Sequence, residues 1–501
     1  MLLAFVRRAT PVLLLPLAVG CPSTSPSDET GSTGDGTGDS SGGVDDGDPM
    51  AGGELLGCPG ASCVMLLATQ SLDDRVEVFV PDHPSSIYRG AIDLDLKPNL
   101  CEGCMPGDNG DDRLDEPFGM ARAGGFLHVL VGHYPERTAG SLVAFPLDFF
   151  VGYPQGSTVP VADYYADGQF LAPVVERALG EVEAIFMHRD PASGRLVVGV
   201  FNNDLFATED TWTQVGKLLV IDPGDPGGEL GTVVLDGLAG GPCQGAGQVI
   251  DVGGGVLAVA CDGNEAVAML DASGLGTGTV GEAASSLASG ALCPLPGALP
   301  GRRVRYLAPD GSGGVLVTEG PTPLDLLGGA ELWHLGSDCG AVGTLTLPAS
   351  SDWQLGEVVR LPASVPTWLL AAGSANPMGQ RGVFVVHEGS GALELCPDPV
   401  GGFEGQWDDG NGGTIEPFAL AVTRDGTGLA VGAGPFIASA DEVGYGKVLW
   451  ASLSGADPCS LSATVSDLTD GGTGHAPAPV AGEPSTWRRA PNVVVLQELG
   501  G

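Results

Sequence analysis

The sequence predicts an all-β protein in which one unit of strands is repeated along the chain. A Glu precedes a Gly by sixteen residues at four places: Glu116 and Gly132, Glu183 and Gly199, Glu357 and Gly373, and Glu416 and Gly432. Each Gly follows a short apolar run that is typical of a strand. The composition agrees, because 82 Gly and 39 Pro against 6% aromatic residues favour many turns and short strands. A repeat of this kind indicates one supersecondary unit used many times.

The first element, residues 1–20, is predicted to be a lipoprotein signal peptide. Arg7 and Arg8 form a positive region, and the apolar stretch 12–17 is too short to span a bilayer. Residues 18–21 (AVGC) resemble the lipobox of bacterial lipoproteins. The resemblance implies a lipidated Cys21 that carries palmitate, and a lipid-anchored protein at the outer membrane or cell surface of a Gram-negative bacterium. A cleaved signal peptide that leaves a free Cys21 is the alternative.

The second element, residues 21–53, is predicted to be a disordered tether. From residue 22 onward it consists largely of Ser, Thr, Gly, Asp and Pro, with seven acids and no base. Such a segment cannot bury enough apolar area to fold. About thirty flexible residues would hold the folded part a few tens of ångströms from the lipid.

The third element, residues 54–501, contains seven apolar strand cores at a spacing of about 60 residues. Each core is followed by a polar turn and a second strand. The cores are Val64–Ala68, Leu127–Val131, Leu196–Phe201, Val256–Ala260, Val315–Thr318, Trp368–Ala372 and Leu429–Val431.

Repeated units of this kind resemble the blades of a β-propeller, closest to the YVTN and NHL types. The resemblance implies a seven-bladed β-propeller over residues 54–501. The first unit has no apolar strand before Val64, whereas the last unit is complete at Leu461–Leu468. The remaining strand 492–497 is therefore expected to complete the first blade, which would close the ring and remove exposed sheet edges. A stacked solenoid, which would need capping repeats, is the structural alternative.

In a propeller, the strands that carry Glu116, Glu183, Glu357 and Glu416 would be innermost and would line the central channel. Their shared position predicts that the four carboxylates meet at one level. Such a ring could hold calcium, a cation that takes several oxygen ligands. In the alternative, each Glu accepts hydrogen bonds from backbone NH groups of a neighbouring blade or faces channel water.

A second candidate calcium site is the oxygen-rich loop 108–116, which contains Asp108 and Asp111. The loop departs from the EF-hand pattern because its Gly and its closing Glu are misplaced. A solvated turn between blades is the alternative.

The cysteine count is consistent with an oxidising compartment. Of eleven Cys, ten remain when Cys21 is set aside, and an even number suits structural disulfides. Zinc binding and a redox role are alternatives for the CxxC pair at 101–104. Connectivity is not fixed by the sequence, but pairing within neighbouring repeats would join Cys58 to Cys63, Cys101 to Cys104, Cys243 to Cys261, Cys293 to Cys339 and Cys396 to Cys459.

The net charge of the chain restricts the possible functions more than any sequence motif does. The chain has 62 acids and 21 bases, and a formal charge of −41 repels phosphate backbones and disfavours nucleic-acid binding. The sequence offers no set of nucleophile, base and orienting residue. The leading hypothesis is a membrane-anchored cell-envelope lipoprotein whose propeller is a non-enzymatic binding module for a protein, a glycan or a small molecule. The alternative is a secreted propeller enzyme, lactonase- or dehydrogenase-like, with a metal at the channel mouth.

Overall fold

The computed structural model of the chain is a seven-bladed β-propeller, which confirms the predicted all-β fold. No helix in the described part of the chain is long and apolar enough to cross a membrane. The described residues are 50–70, 74–84, 86–94, 117–131, 140–166, 169–180, 184–200, 214–295, 303–320, 330–347, 353–374, 379–389, 391–408, 414–434, 446–455, 457–477, 491 and 493–500.

The first two blades contain the N-terminal strands and one insertion. After the short helix α1 (Gly53–Leu56), blade 1 holds β1 (Cys63–Gln70), β2 (Arg75–Phe79) and β3 (Tyr88–Asp93). Blade 2 begins with β4 (Pro117–Ala123), β5 (Phe126–Val131) and β6 (Ser141–Pro146). An insertion follows, in which β7 (Ser157–Pro160) pairs in parallel with β3, and β8 (Tyr165–Ala166) pairs with β9 (Gln169–Phe170). Blade 2 then ends with β10 (Val175–Ala178).

The other five blades each contain four consecutive antiparallel strands. Blade 3 holds β11 (Ala184–Arg189), β12 (Leu196–Val200), β13 (Lys217–Ile221) and β14 (Leu230–Val234). Blade 4 holds β15 (Ala246–Gly253), β16 (Val256–Cys261), β17 (Ala266–Asp271), the helix α2 (Val280–Ser286) and β18 (Gly290–Pro294). Blade 5 holds β19 (Arg303–Pro309), β20 (Val315–Gly320), β21 (Glu331–Leu335) and β22 (Ala341–Thr346). Blade 6 holds β23 (Trp353–Leu361), β24 (Thr367–Ser374), β25 (Gly382–Gly389) and β26 (Ala392–Leu395). Blade 7 holds β27 (Glu416–Val422), β28 (Gly428–Gly434), β29 (Lys447–Ser454) and β30 (Ser462–Asp467).

The ring closes through the last strand, β31 (Val494–Leu499), which is the innermost strand of blade 1. It pairs antiparallel with β1, and Leu496 lies opposite Leu66. Each innermost strand contacts the next one around the ring, in the order β4, β11, β15, β19, β23, β27, β31 and β4 again. These strands therefore surround one central channel.

The apolar core lies between the blades, in seven clusters that match the seven blade interfaces. Strand β16 contributes side chains to two of these clusters. Leu257 and Val259 pack toward blade 3, whereas Ala258 and Ala260 pack toward blade 5. Because successive side chains of a strand point to opposite faces, both faces of each blade are covered. This is why the strand cores are apolar at every position rather than at alternate ones.

The repeated Gly has a steric role in the same packing. A side chain at Gly199 of β12 would place its Cβ 1.9 Å from the carbonyl oxygen of Gly247 in blade 4. A Cβ at Gly373 of β24 would lie 2.1 Å from Oε2 of Glu416 in blade 7. The second strand of a blade thus approaches the innermost strand of the next blade so closely that only Gly fits.

Four predicted disulfides are present: Cys58–Cys63, Cys243–Cys261, Cys293–Cys339 and Cys396–Cys459. The last two join consecutive blades in the same way. In each, a Cys at the outer strand of one blade (β18 or β26) bonds a Cys in the connection between the third and fourth strands of the next blade. The fifth predicted pair, Cys101–Cys104, lies outside the described residues.

Candidate functional site in the central channel

The channel wall is shaped by a β-bulge in the innermost strand of each of blades 2 to 7. A bulge places an extra residue on one strand, so that two consecutive side chains share one side. In β19 the extra residue is Arg305, between Val304 and Tyr306. Val304 packs between blades 4 and 5, whereas Tyr306 packs toward blade 6. Such bulges are common beside active sites.

Glu357 lies in the bulge of β23 and links two blades. Its Oε2 accepts a hydrogen bond of 2.7 Å from the backbone NH of Leu420 on β27. Gln248, in the bulge of β15, makes the same link to blade 5, because its Oε1 accepts from the backbone NH of Leu307 at 2.6 Å. Glu357 therefore has the structural role that was predicted as the alternative to a calcium ring, because it accepts a hydrogen bond from a backbone NH of the neighbouring blade.

The position of Glu357 also changes its protonation. Burial raises the pKa of Glu357 to about 8, and the hydrogen bond from Leu420 opposes that effect only in part. The side chain keeps partial exposure, since it lies on the channel wall. Below pH 8 the protonated form of the carboxyl therefore predominates.

Glu416 is held by a different set of partners. Its Oε1 accepts from Nε of Arg381 at 2.7 Å, and its Oε2 accepts from the backbone NH of Ser374 at 3.1 Å. The Glu416 and Arg381 side chains are both 8% exposed. Burial raises the pKa of Glu416, while the guanidinium of Arg381 opposes the shift. Because both oxygens are engaged and a cation is already in contact, Glu416 does not fit the predicted calcium ring.

The prediction that the carboxylates lie at one level of the channel is wrong for Glu357 and Glu416. Glu416 lies opposite Gly434 and before the bulge of β27, whereas Glu357 lies inside the bulge of β23. Four other predicted calcium ligands lie outside the described residues: Glu116, Glu183, Asp108 and Asp111.

One group of metal-ligand type is found in the described part of the chain. His387, Cys396 and Cys459 have ligand atoms within 4.8 Å of one another, but the two Cys form a disulfide. A bonded pair of sulfurs offers no thiolate, and metal binding by Cys requires one. The cluster is therefore a cross-link beside a His rather than a metal centre.

The most distinctive polar group of the channel consists of Arg305 and Tyr306. The rings of Tyr306 and Phe186 have centroids 6.0 Å apart at 86°. Phe186 lies on β11 of blade 3, so the two rings meet across blade 4, inside the channel. Burial raises the pKa of Tyr306 to about 12, with a further contribution from the charge of Glu357. The phenol therefore stays protonated at neutral pH and remains a hydrogen-bond donor.

Arg305 is partly buried beside Tyr306, and it makes no hydrogen bond or ion pair with any described residue. Arg381 differs from Arg305, because it is paired with Glu416. Neither Arg305 nor Tyr306 is among the site residues predicted from the sequence. One signal was present, because an Arg stands in an innermost strand of a chain that has only 21 bases among 501 residues.

A buried Asp–His pair elsewhere does not form a hydrolytic site. Nε2 of His334 lies 3.0 Å from Oδ2 of Asp310, and the His334 ring packs edge-on against Trp368. Ser312 donates to Asp310 at 2.7 Å rather than to His334. The hydroxyl therefore lacks the contact with a His base that activates a serine nucleophile.

No family model matches the chain, and no curated protein matches it. Solved structures that resemble it include two proteins named as putative 6-phosphogluconolactonases. The one from Bacteroides fragilis has a TM-score of 0.49 at 11% identity, covering 87% of this chain and 98% of its own. The one from Bacteroides uniformis has a TM-score of 0.45 at 10% identity, covering 87% and 100%. The periplasmic gluconolactonase of Pseudomonas aeruginosa has a TM-score of 0.39 at 17% identity, covering 68% and 81%. At such identities a likeness extends to the fold and not to an activity.

Proposed function

We propose that this protein is a cell-envelope lipoprotein, anchored through Cys21, whose propeller binds a small organic anion in its channel. The observation that carries the anion proposal is Arg305, a cation on the channel wall without a partner among the described residues. A guanidinium binds carboxylate and phosphate groups through two parallel hydrogen bonds.

The surroundings of Arg305 suit a small carboxylate that carries hydroxyl groups. The phenol of Tyr306 is a donor at neutral pH, and Glu357 below pH 8 is a neutral carboxyl that does not repel an anion. Phe186 and Tyr306 supply an aromatic wall. In a chain with a net charge of −41, selective binding of an anion requires such a locally positive position.

Titration calorimetry with D-glucuronate and D-glucose tests the anion site, because the two sugars differ in the carboxylate. We expect glucuronate to bind and glucose not to bind. Arg305→Gln should weaken glucuronate binding at least tenfold, since it removes a charge-assisted pair. Arg177→Gln is the matched control, because Arg177 lies on the outer strand β10 and donates to a backbone carbonyl. Equal binding of both sugars, or an unchanged affinity in Arg305→Gln, would contradict the proposal.

The anchor is tested separately by growth with radioactive palmitate. We expect label in the full chain and none in Cys21→Ser. The calcium prediction is tested by elemental analysis of residues 54–501 and by thermal shift with calcium or EDTA. A bound metal and a large shift would support a calcium site, for which the predicted ligands Asp108 and Asp111 remain candidates.

A second candidate function is an enzyme that uses Glu357 as a proton donor. Its pKa of about 8 favours this role, because a catalytic acid works best with a pKa near the working pH. A set of sugar lactones, followed by acid release, would detect turnover that is lost in Glu357→Gln. Turnover that persists in that variant would exclude Glu357 as the acid.

A further inference from the structure

Three exposed apolar side chains lie on two segments that contact each other, the start of the described chain and the insertion of blade 2. Met50 is 68% exposed, Val151 is 62% exposed and Leu171 is 46% exposed. Met50 precedes α1, and the other two belong to the insertion between β6 and β10 of blade 2. We call these three residues the apolar patch. Six large hydrophobic side chains are exposed in the described part of the chain, and half of them are in this patch.

Aromatic rings lie in the same insertion as Val151 and Leu171. The rings of Phe149 and Tyr164 are 4.7 Å apart, and the hydroxyls of Tyr153 and Tyr164 are 3.0 Å apart. The backbone NH of Leu171 donates to the carbonyl of Tyr164 at 2.7 Å. All three rings are only partly buried. Tyr and Phe side chains of this kind, apolar with a polar tip on Tyr, are enriched where proteins meet the membrane–water interface.

The N-terminal segment is fixed beside these rings. Arg122 donates to the carbonyls of Leu56 at 3.0 Å and Ala51 at 3.2 Å. Glu54 accepts from the backbone NH of Gln155, in the insertion, at 3.0 Å. A Cβ at Gly53 would lie 2.7 Å from the Cα of Val151, so the segment and the insertion are in direct contact.

These contacts decide where the upstream chain leaves the propeller. Arg122 lies near the end of β4, and β1 begins with Cys63 opposite Leu499, near the end of β31. We call this end of the channel, where the innermost strands finish, the N-terminal face. The chain therefore leaves the propeller at this face and directly at the patch, 29 residues after Cys21.

We infer that the apolar patch lies on the surface of the bilayer to which Cys21 is anchored. This inference rests on the proposed lipid anchor. A flexible chain of 29 residues has an end-to-end distance of about 30 Å. The anchored lipid thus holds the patch at millimolar effective concentration near the bilayer, and a weak interfacial affinity is sufficient for contact. The opposite end of the channel, where the innermost strands begin and carry their bulges, then faces away from the lipid.

The charges near the patch specify the lipid. Glu54, Asp148 and Asp163 are exposed acids on the same two segments. They disfavour anionic headgroups, so the patch fits a zwitterionic surface such as phosphatidylethanolamine. Contact through apolar side chains should also persist at high salt, because Debye screening does not weaken it.

Fluorescence of the lipidated full chain in phosphatidylethanolamine–phosphatidylcholine vesicles tests the inference. Val151→Cys and Val234→Cys each receive a polarity-sensitive, thiol-reactive label. Val234 is the matched control, because it is 42% exposed and lies at the end of the outer strand β14 of blade 3, at the level where the innermost strand β11 begins. We expect a blue shift, and quenching by brominated lipid, at position 151 and not at position 234. Vesicles with phosphatidylglycerol should give a smaller shift at position 151.

Three outcomes separate the possibilities. Equal emission at both positions on vesicle-bound protein would overturn the inference while leaving the lipid anchor intact. A blue shift at position 151 that depends on protein concentration without vesicles would overturn it in favour of a second copy of the chain. If the anchor itself is wrong, the full chain carries no palmitate and does not sediment with vesicles, and the inference falls with it.

Discussion

Replacing Glu357 by Gln should change how the stability of the propeller depends on pH. The folded pKa of Glu357 is about 8, above the ordinary value of 4.5. Between these values the folded state holds a proton that the unfolded state has released, so this group stabilises the fold at low pH. Its contribution is lost as pH rises from 5 to 8, and it is constant above the folded pKa. Gln cannot titrate, and its side-chain oxygen can still accept the hydrogen bond from Leu420.

The size of the effect follows from the linkage relation. One differential proton changes the free energy of unfolding by up to about 1.4 kcal/mol per pH unit. An unfolding entropy of about 2.1 cal/mol/K per residue gives roughly 0.9 kcal/mol/K for a domain of this size. The Tm difference between the variant and the native chain should therefore grow in favour of the variant by up to about 1.5 °C per pH unit. Partial exposure of Glu357 to channel water makes this an upper bound.

Thermal unfolding at half-unit steps from pH 5 to 9 measures this difference. Gln248 supplies a natural precedent for the variant, because an amide already makes the equivalent link in blade 4. A Tm difference that stays constant from pH 5 to 8 would refute the buried, protonated Glu357. A large Tm loss in the variant at every pH would refute the view that an amide can replace the carboxyl.

Three further changes test the blade interfaces by thermal unfolding. Glu416→Ala removes the carboxylate that pairs with the buried guanidinium of Arg381 and should cost about 3–5 kcal/mol. Arg424→Ala, at a side chain 88% exposed, should cost under about 1 kcal/mol; equal Tm losses would contradict the buried pair. Gly199→Ala places a Cβ 1.9 Å from a carbonyl oxygen of blade 4. This change should lower the free energy of unfolding by about 1–3 kcal/mol or more, and an unchanged Tm would contradict that close approach. Cys459→Ser opens a cross-link between residues 63 apart and should cost up to about 4 kcal/mol; the same Tm with and without reductant in the native chain would contradict a stabilising role.

The sequence was sufficient to predict the repeat and its closure because both depend on burial. Each predicted strand core falls on the second strand of a blade, for instance Leu127–Val131 on β5 and Trp368–Ala372 on β24. The closing strand is β31 at Val494–Leu499, two residues later than the predicted 492–497. Its register is set by pairing with β1, which the apolar run alone does not specify.

The candidate site was less predictable, because its geometry depends on bulges. A bulge adds one residue to a strand without any necessary change in the apolar pattern. Glu357 and Glu416 each precede a Gly by sixteen residues, but the bulges put them at different levels of the channel. Arg305 and Tyr306 became visible as a pair only through the bulge that puts them side by side.

The insertion of blade 2 was also absent from the sequence-based prediction. Its strands β7, β8 and β9 are two to four residues long, and none forms an extended apolar run. β7 extends blade 1 rather than the blade in which it is inserted. Such long-range pairing leaves no local periodicity to detect.

Because β31 pairs with β1, the first blade remains one strand short until residue 499 is available to it. During synthesis, blades 2 to 7 can assemble in sequence, but the ring stays open until β31 pairs with β1. A chain that lacks β31 would leave β1 as an unpaired sheet edge, which proteases could reach. Closure of the whole ring therefore depends on the pairing of β31 with β1.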